Sequence, residues 1–159
     1  MHLREGEKIL RIYHHHPTPF VLNILKVIGA VLPFFFLLFL FQDSLSNQAS
    51  FLAHLIVLAV FSLVVIYQAI IFWLDRLVVT NMRIYQIDWK YLTVRSESEA
   101  MLSDIQDVRT AEKGVLSYFK ILDYGMIRVE TASSHVTLLF EDAPNPEGIR
   151  QFIYSVRKH

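Results

Sequence analysis

Cysteine is absent from this 159-residue chain. That absence removes disulfides, thiolate nucleophiles and cysteine-ligated zinc together. Glycine and proline are sparse, five of each, and no glycine-rich phosphate loop, metalloprotease helix or nucleophile elbow occurs anywhere. An excess of charge of either sign is missing too. Fifteen basic residues balance fifteen acidic ones, and from Arg76 onward the count is 11 against 11. Binding of nucleic acid calls for a basic stripe, and there is none. The sequence therefore predicts no nucleic-acid partner, no catalytic residue, no cofactor and no metal.

What the chain has is apolar length. Hydrophobic residues make up 53%, and the mean hydropathy is +0.38. Residues 51–74 form a run of 24 without Asp, Glu, Lys or Arg. As a helix this run reaches roughly 36 Å, enough to cross a hydrocarbon core of about 30 Å with some tilt. Residues 20–41 form a second span, apolar except for Asn23 and Lys26. Lys26 lies near its start, where the stem can follow the helix while the ammonium reaches the headgroups. Pro33 is expected to bend this helix or open one backbone bond. The residues ahead of the span, and the Phe41-Gln42-Asp43 context after it, argue against a cleaved signal peptide.

The short polar link 42–50 predicts an antiparallel helical hairpin. It holds no Lys or Arg, whereas Arg4, Lys8, Arg11 and Lys26 precede it and Arg76, Arg83 and Lys90 follow the second span. The bias of basic residues places both termini in the cytoplasm. Residues 1–19 read as a juxtamembrane lead, and Tyr13 and Trp73 as parts of an interfacial aromatic belt.

Residues 75–159 are long enough for one small core. Leu77-Val78-Val79-Thr80 and Arg83-Ile84-Tyr85-Gln86-Ile87-Asp88 read as a tight hairpin about Asn81-Met82. Further strands are expected within 91–98, at 105–112, at 125–131 with Ile127 and Val129 on one face, and at 135–140 with Val136, Leu138 and Phe140 alternating. An irregular or helical connection is expected over 114–122, and a turn at Ala132-Ser133-Ser134. Asn145 is a good helix cap, Pro146 fits the first helical position, and Glu147 complements the dipole. Ile149, Phe152, Ile153 and Val156 then form one apolar face, on which Phe152 is expected to anchor the helix. The composite is an α+β membrane protein in which a curled antiparallel sheet is closed by the last helix.

Several segments together resemble one family. Leu77-Val78-Val79-Thr80-Asn81-Met82-Arg83-Ile84 is similar to the opening of bacterial pleckstrin-homology-like membrane proteins. Leu102-Ser103-Asp104-Ile105-Gln106-Asp107-Val108, Gly114-Val115-Leu116, Asp123-Tyr124-Gly125, Ile127-Arg128-Val129-Glu130-Thr131-Ala132 and Asn145-Pro146 resemble later segments in order. Gly6-Glu7 and His16-Pro17 resemble the N-terminal lead. The resemblance implies a strongly bent antiparallel sheet of about seven strands capped by a C-terminal helix, in a bacterial inner membrane. Eukaryotic relatives that bind phosphoinositides carry basic residues around a long first hairpin loop. Thr80-Asn81-Met82-Arg83 is short and holds one, so specific inositol-phosphate recognition is not expected.

The remaining candidates have plain readings. Lys26, Arg76, Arg83 and Lys90 are the expected contacts with a membrane surface. Three successive histidines, His14-His15-His16, cannot easily aim three rings at one ion. His54 has no mid-depth partner for a proton relay, Gln68 suits a hydrogen bond between the helices, and Asp104 and Asp107 suit solvated or turn-capping roles. Two functions remain. One is a non-enzymatic module that binds a membrane-associated protein, or itself, through a sheet edge or the groove beside the last helix. The other is an accessory subunit whose hairpin packs into a larger transport or enzyme complex. The expected partners are the bilayer and such a protein.

Overall fold

The computed structural model describes residues 3–112, 124–132 and 137–157. The sequence features at 114–122, Gly114, Val115, Leu116, Asp123, Ser133, Ser134, His135 and Val136 lie outside the described residues. The chain forms two compact units, one of Met1–His16 with Trp73–His159, the other of Pro17–Phe72.

The second unit is a pair of helices, α1 (Pro17–Leu40) and α2 (Asn47–Leu74). Pro17 takes the first helical position, where its missing N–H costs nothing. Pro33 lies inside α1. A 3₁₀ turn, Gln42–Ser44, leads to Ser46, whose Oγ accepts the Ala49 amide at 3.3 Å. That cap lets α2 begin four residues before the apolar run. Phe20 stacks on Phe72 at 4.9 Å and Phe35 meets His54 at 5.9 Å. His54 Nδ1 donates to the Ser50 carbonyl one turn back at 2.8 Å. Gln68 makes no side-chain hydrogen bond among the described residues. Both helices are long and apolar enough to cross a membrane, and neither contains a buried residue.

Among the described residues the other unit holds two antiparallel sheets and a helix. The first sheet, in spatial order, is β1 (Ile9–His14), β2 (Arg76–Thr80), β3 (Arg83–Tyr91) and β4 (Val94–Met101). The second is β5 (Ile105–Glu112), β6 (Tyr124–Thr131) and β7 (Thr137–Pro144), followed by α3 (Pro146–Arg157). The N-terminal lead is thus a strand: Tyr13 pairs with Leu77 and Ile12 with Val78. Tyr13 is no belt residue. It packs against the core and meets Phe152 edge-on at 6.4 Å.

Alternation puts Leu77, Val79 and Ile84 of the first sheet against Val108, Ile127, Val129, Leu138 and Phe140 of the second, all buried. Gln86 Nε2 donates to the Leu139 carbonyl at 2.6 Å and ties one sheet to the other. A Cβ on Gly125 would stand 2.3 Å from the Ala111 carbonyl oxygen, so glycine lets β5 and β6 close at that rung. Asn145 caps α3 as expected, its Oδ1 accepting the Gly148 amide at 2.8 Å. The anchor differs from expectation. Ile149 and Ile153 are fully buried, whereas Phe152 is half-buried at the rim, because the helix face centres one residue further on.

Candidate functional site

Two clusters of polar side chains stand at opposite ends of the first sheet. The first sits on the β2–β3 turn. Thr80 is followed by Asn81-Met82, and the short turn leaves several backbone groups to be satisfied by side chains. Thr80 Oγ1 accepts the amides of Met82 and Arg83 at 3.2 and 2.9 Å. Asn81 reaches back to the lead, accepting the Lys8 amide at 2.8 Å and donating to the Gly6 carbonyl at 3.1 Å.

At the centre lies Glu7. Arg83 Nε and Nη2 donate to its two carboxylate oxygens at 3.0 and 2.9 Å, and Thr80 Oγ1 donates at 2.9 Å. The Arg4 amide adds a fourth bond at 2.8 Å. Arg83 Nη1 bonds Glu99 at 2.6 Å, and the guanidinium lies 4.2 Å from the Tyr85 ring centroid. Arg83 is only 6% exposed. It is therefore not the membrane-surface contact expected of it: a doubly paired, buried guanidinium holds the fold together and cannot reach headgroups.

The second cluster stands where the chain passes to and from the helices. Asp75 is the single residue between α2 and β2. Its Oδ1 accepts the Trp89 amide at 2.7 Å, and its Oδ2 faces His15 Nε2 at 3.7 Å. His15 Nδ1 lies 2.6 Å from the Glu141 carbonyl, an acceptor, so this nitrogen carries a proton and donates. The ring stacks on Phe140 at 4.6 Å. His16 stacks on Tyr124 at 5.5 Å, while His14 pairs with Arg76 in the β1–β2 ladder. The three successive residues thus have separate neighbours, and no metal-holding cluster exists among the described residues.

The two buried carboxyls respond to burial differently. Burial pushes Glu7 up, but the bonds from the Arg4 amide, Arg83 and Thr80, with the Arg83 charge, hold it below its ordinary value. Burial pushes Asp75 up, and the nearby Asp88 charge adds to this. The Trp89 amide and His15 only partly offset the rise. The signs are opposite. The contribution of Glu7 is present above its ordinary 4.5 and is lost as pH falls through the lower folded value. That of Asp75 is present below its ordinary 3.8 and is lost as pH rises through the raised value. Melting temperature followed into acid should therefore fall less steeply for Glu7→Gln than for the natural chain, and more steeply for Asp75→Asn. An Asp75→Asn profile parallel to that of the natural chain would show that Asp75 titrates alike folded and unfolded.

The other expected residues are scattered. Lys26, Arg76 and Lys90 are exposed, and Lys26 Nζ donates to Asn23 at 3.3 Å. Asp104 accepts from Ser103 Oγ, while Asp107 is bound by Arg109 and by Tyr154 of α3. The Arg109 hydrogen bond, against slight burial, holds the Asp107 carboxyl below its ordinary range. Glu99 and Asp75 carried no signal of their own in the sequence, and His15 stood out only as one of three successive histidines, because their partners are distant along the chain. Glu7 stood out only through its resemblance to a family lead.

No family model matches the chain, and no curated protein matches it. Among solved structures it is similar to a DUF1696 family protein with a pleckstrin-homology domain from Shewanella loihica PV-4. Identity is 17% over 52% of this chain and 70% of that chain, with a TM-score of 0.40.

Proposed function

We propose that the chain is a non-enzymatic module with a pleckstrin-homology-like unit anchored in a bacterial inner membrane, both termini cytoplasmic. There it presents a protein-interaction surface to a membrane-associated protein or to a second copy. The observation that carries this reading is the pair α1 and α2. A core helix of a water-soluble protein buries its apolar side chains. Here Leu32 and Phe36 of α1 and Phe51 and Leu63 of α2 are all more than 60% exposed. In water such a surface is strongly unfavourable, and hydrocarbon removes the cost. The four-stranded and three-stranded sheets with a C-terminal helix support the pleckstrin-homology-like reading. The edge strand β1, with Ile9, Leu10 and Ile12 exposed, supports the interaction surface. The same open helix faces favour a second reading, an accessory subunit packed into a larger membrane complex.

A reporter active only outside the cytoplasm, fused after His159, should be inactive, and the same reporter inserted at Leu45 should be active. Strong activity at His159 would overturn the orientation. A photo-crosslinking residue at Ile12 should capture a protein in native membranes. Loss of that product when β1 carries Ile9→Lys would place the contact on this edge.

A further inference from the structure

β3 overshoots β2. The β2–β3 ladder ends with Arg76 opposite Ile87, yet the β3–β4 ladder runs on through Asp88↔Ser96, Trp89↔Arg95 and Tyr91↔Val94. The result is a two-stranded ribbon that turns at Leu92-Thr93, beyond the edge of the four-stranded sheet. Its base is fixed. The Trp89 amide donates to Asp75, the residue through which the chain arrives from α2. The ribbon therefore projects from the end of the sheet at which the chain arrives.

Its tip has the composition of an interfacial anchor. Tyr91 is 61% exposed, Leu92 42% and Val94 47%. Lys90 is exposed beside them. The Arg95 guanidinium lies 5.8 Å from the Trp89 ring centroid and is paired with Glu97, one step back from the tip. The acidic residues, Asp88 and Glu97, lie toward the base. Apolar and amphipathic side chains at an end, with basic residues just behind, complement the boundary between acyl chains and anionic headgroups. The opposite end of the sheet differs: its turn is tied down by Thr80, Asn81 and Glu7.

We infer that the Tyr91–Val94 tip dips into the headgroup–acyl boundary of the bilayer that α2 crosses, with Lys90 and Arg95 at the phosphates. The inference rests on the membrane reading of α1 and α2. The reach agrees. Three residues beyond Trp89, at about 3.3 Å each, extend roughly 10 Å. Interfacial segments sit about 5–10 Å deep. In this arrangement α2 and the tip are two attachments of one unit, and the second restrains the face the unit turns to the lipid.

The natural absence of cysteine makes the test direct. Single variants Leu92→Cys, Met82→Cys and Leu63→Cys of the full chain are labelled with an environment-sensitive fluorophore. They are reconstituted in vesicles of phosphatidylcholine and phosphatidylglycerol. The label at 92 should be blue-shifted, quenched by lipids carrying a shallow nitroxide, and shielded from aqueous iodide. The label at 82, on the turn at the other end of the sheet, should be quenched by iodide, and the label at 63, within α2, by deep nitroxide lipids. If 92 behaves like 82 while 63 is lipid-quenched, the tip inference fails and the spanning helix stands. If 63 is open to iodide, the membrane reading fails and takes the inference with it. A blue-shifted label at 92 that no nitroxide lipid quenches would mean a protein covers the tip, which also overturns the inference.

Discussion

Replacing Glu7 with alanine is expected to destabilise the β-structured unit by about 3–5 kcal/mol, since removing one partner of a buried ion pair leaves the other charge without its buried counter-ion. A domain of this kind has about 5–15 kcal/mol in all. The Arg83 guanidinium would keep Glu99, whose side chain is half exposed, but would lose both of its bonds to the buried carboxylate. Thr80 and the Arg4 amide would lose an acceptor at the same stroke. The unit should then be cut by protease at concentrations that leave the natural chain intact, while the α1–α2 pair resists in detergent. The double variant Glu7→Ala, Arg83→Met should recover much of the loss, because a buried pair replaced by apolar side chains is often close to neutral. An unchanged melting temperature for Glu7→Ala alone would mean that water or another acceptor reaches Arg83.

The second large effect is at Ile153. It is fully buried among Val108, Ile127 and Phe140, so Ile153→Ala should cost about 2–5 kcal/mol in lost transfer energy and cavity. Phe152→Ala should cost less, about 1–2 kcal/mol, because only part of the ring is removed from water. What that change does remove is specific: the edge contact with Tyr13 and the ring under the Arg11 guanidinium, 4.9 Å away. Equilibrium unfolding of the two variants side by side settles their order. Equal losses would put Phe152 deeper than its half-buried place at the rim.

Sequence patterns recovered the elements whose signals are local. β5 was legible at both bounds from its own residues, and α3 from Asn145-Pro146 and the spacing of its apolar face. The β2–β3 hairpin was legible despite a weak turn, since strand-prone runs, Leu77 to Thr80 and Arg83 to Asp88, flank Asn81-Met82. β1 was not. Ile9-Leu10-Arg11-Ile12-Tyr13 is strand-prone, but its partner β2 lies beyond both helices, and a bulge between Ile9 and Arg11 breaks the alternation. The extent of β4 was hidden for another reason. As an edge strand it is largely exposed, so Arg95, Ser96, Glu97 and Ser98 show no apolar period. Arg83 misled because a basic residue in a tight turn near a membrane span looks exposed. Its acidic partner in the lead is visible only when β1 is in place.

The position of β1 has a consequence for how the chain reaches its native state. On the ribosome, residues 9–14 emerge ahead of both helices and must wait for them before β2 exists to receive them. Closing so long a loop in free solution carries an entropy cost that grows with its length and slows the pairing of distant strands. The α1–α2 pair shortens that search, for Phe20 and Phe72 stack at its open end and bring the two exits of the pair side by side. Folding of the sheet should therefore depend on prior formation of the pair. A fragment beginning at Asp75 would contain every described strand except β1 and would still lack Glu7, leaving Arg83 without its buried carboxylate and β2 as a raw edge.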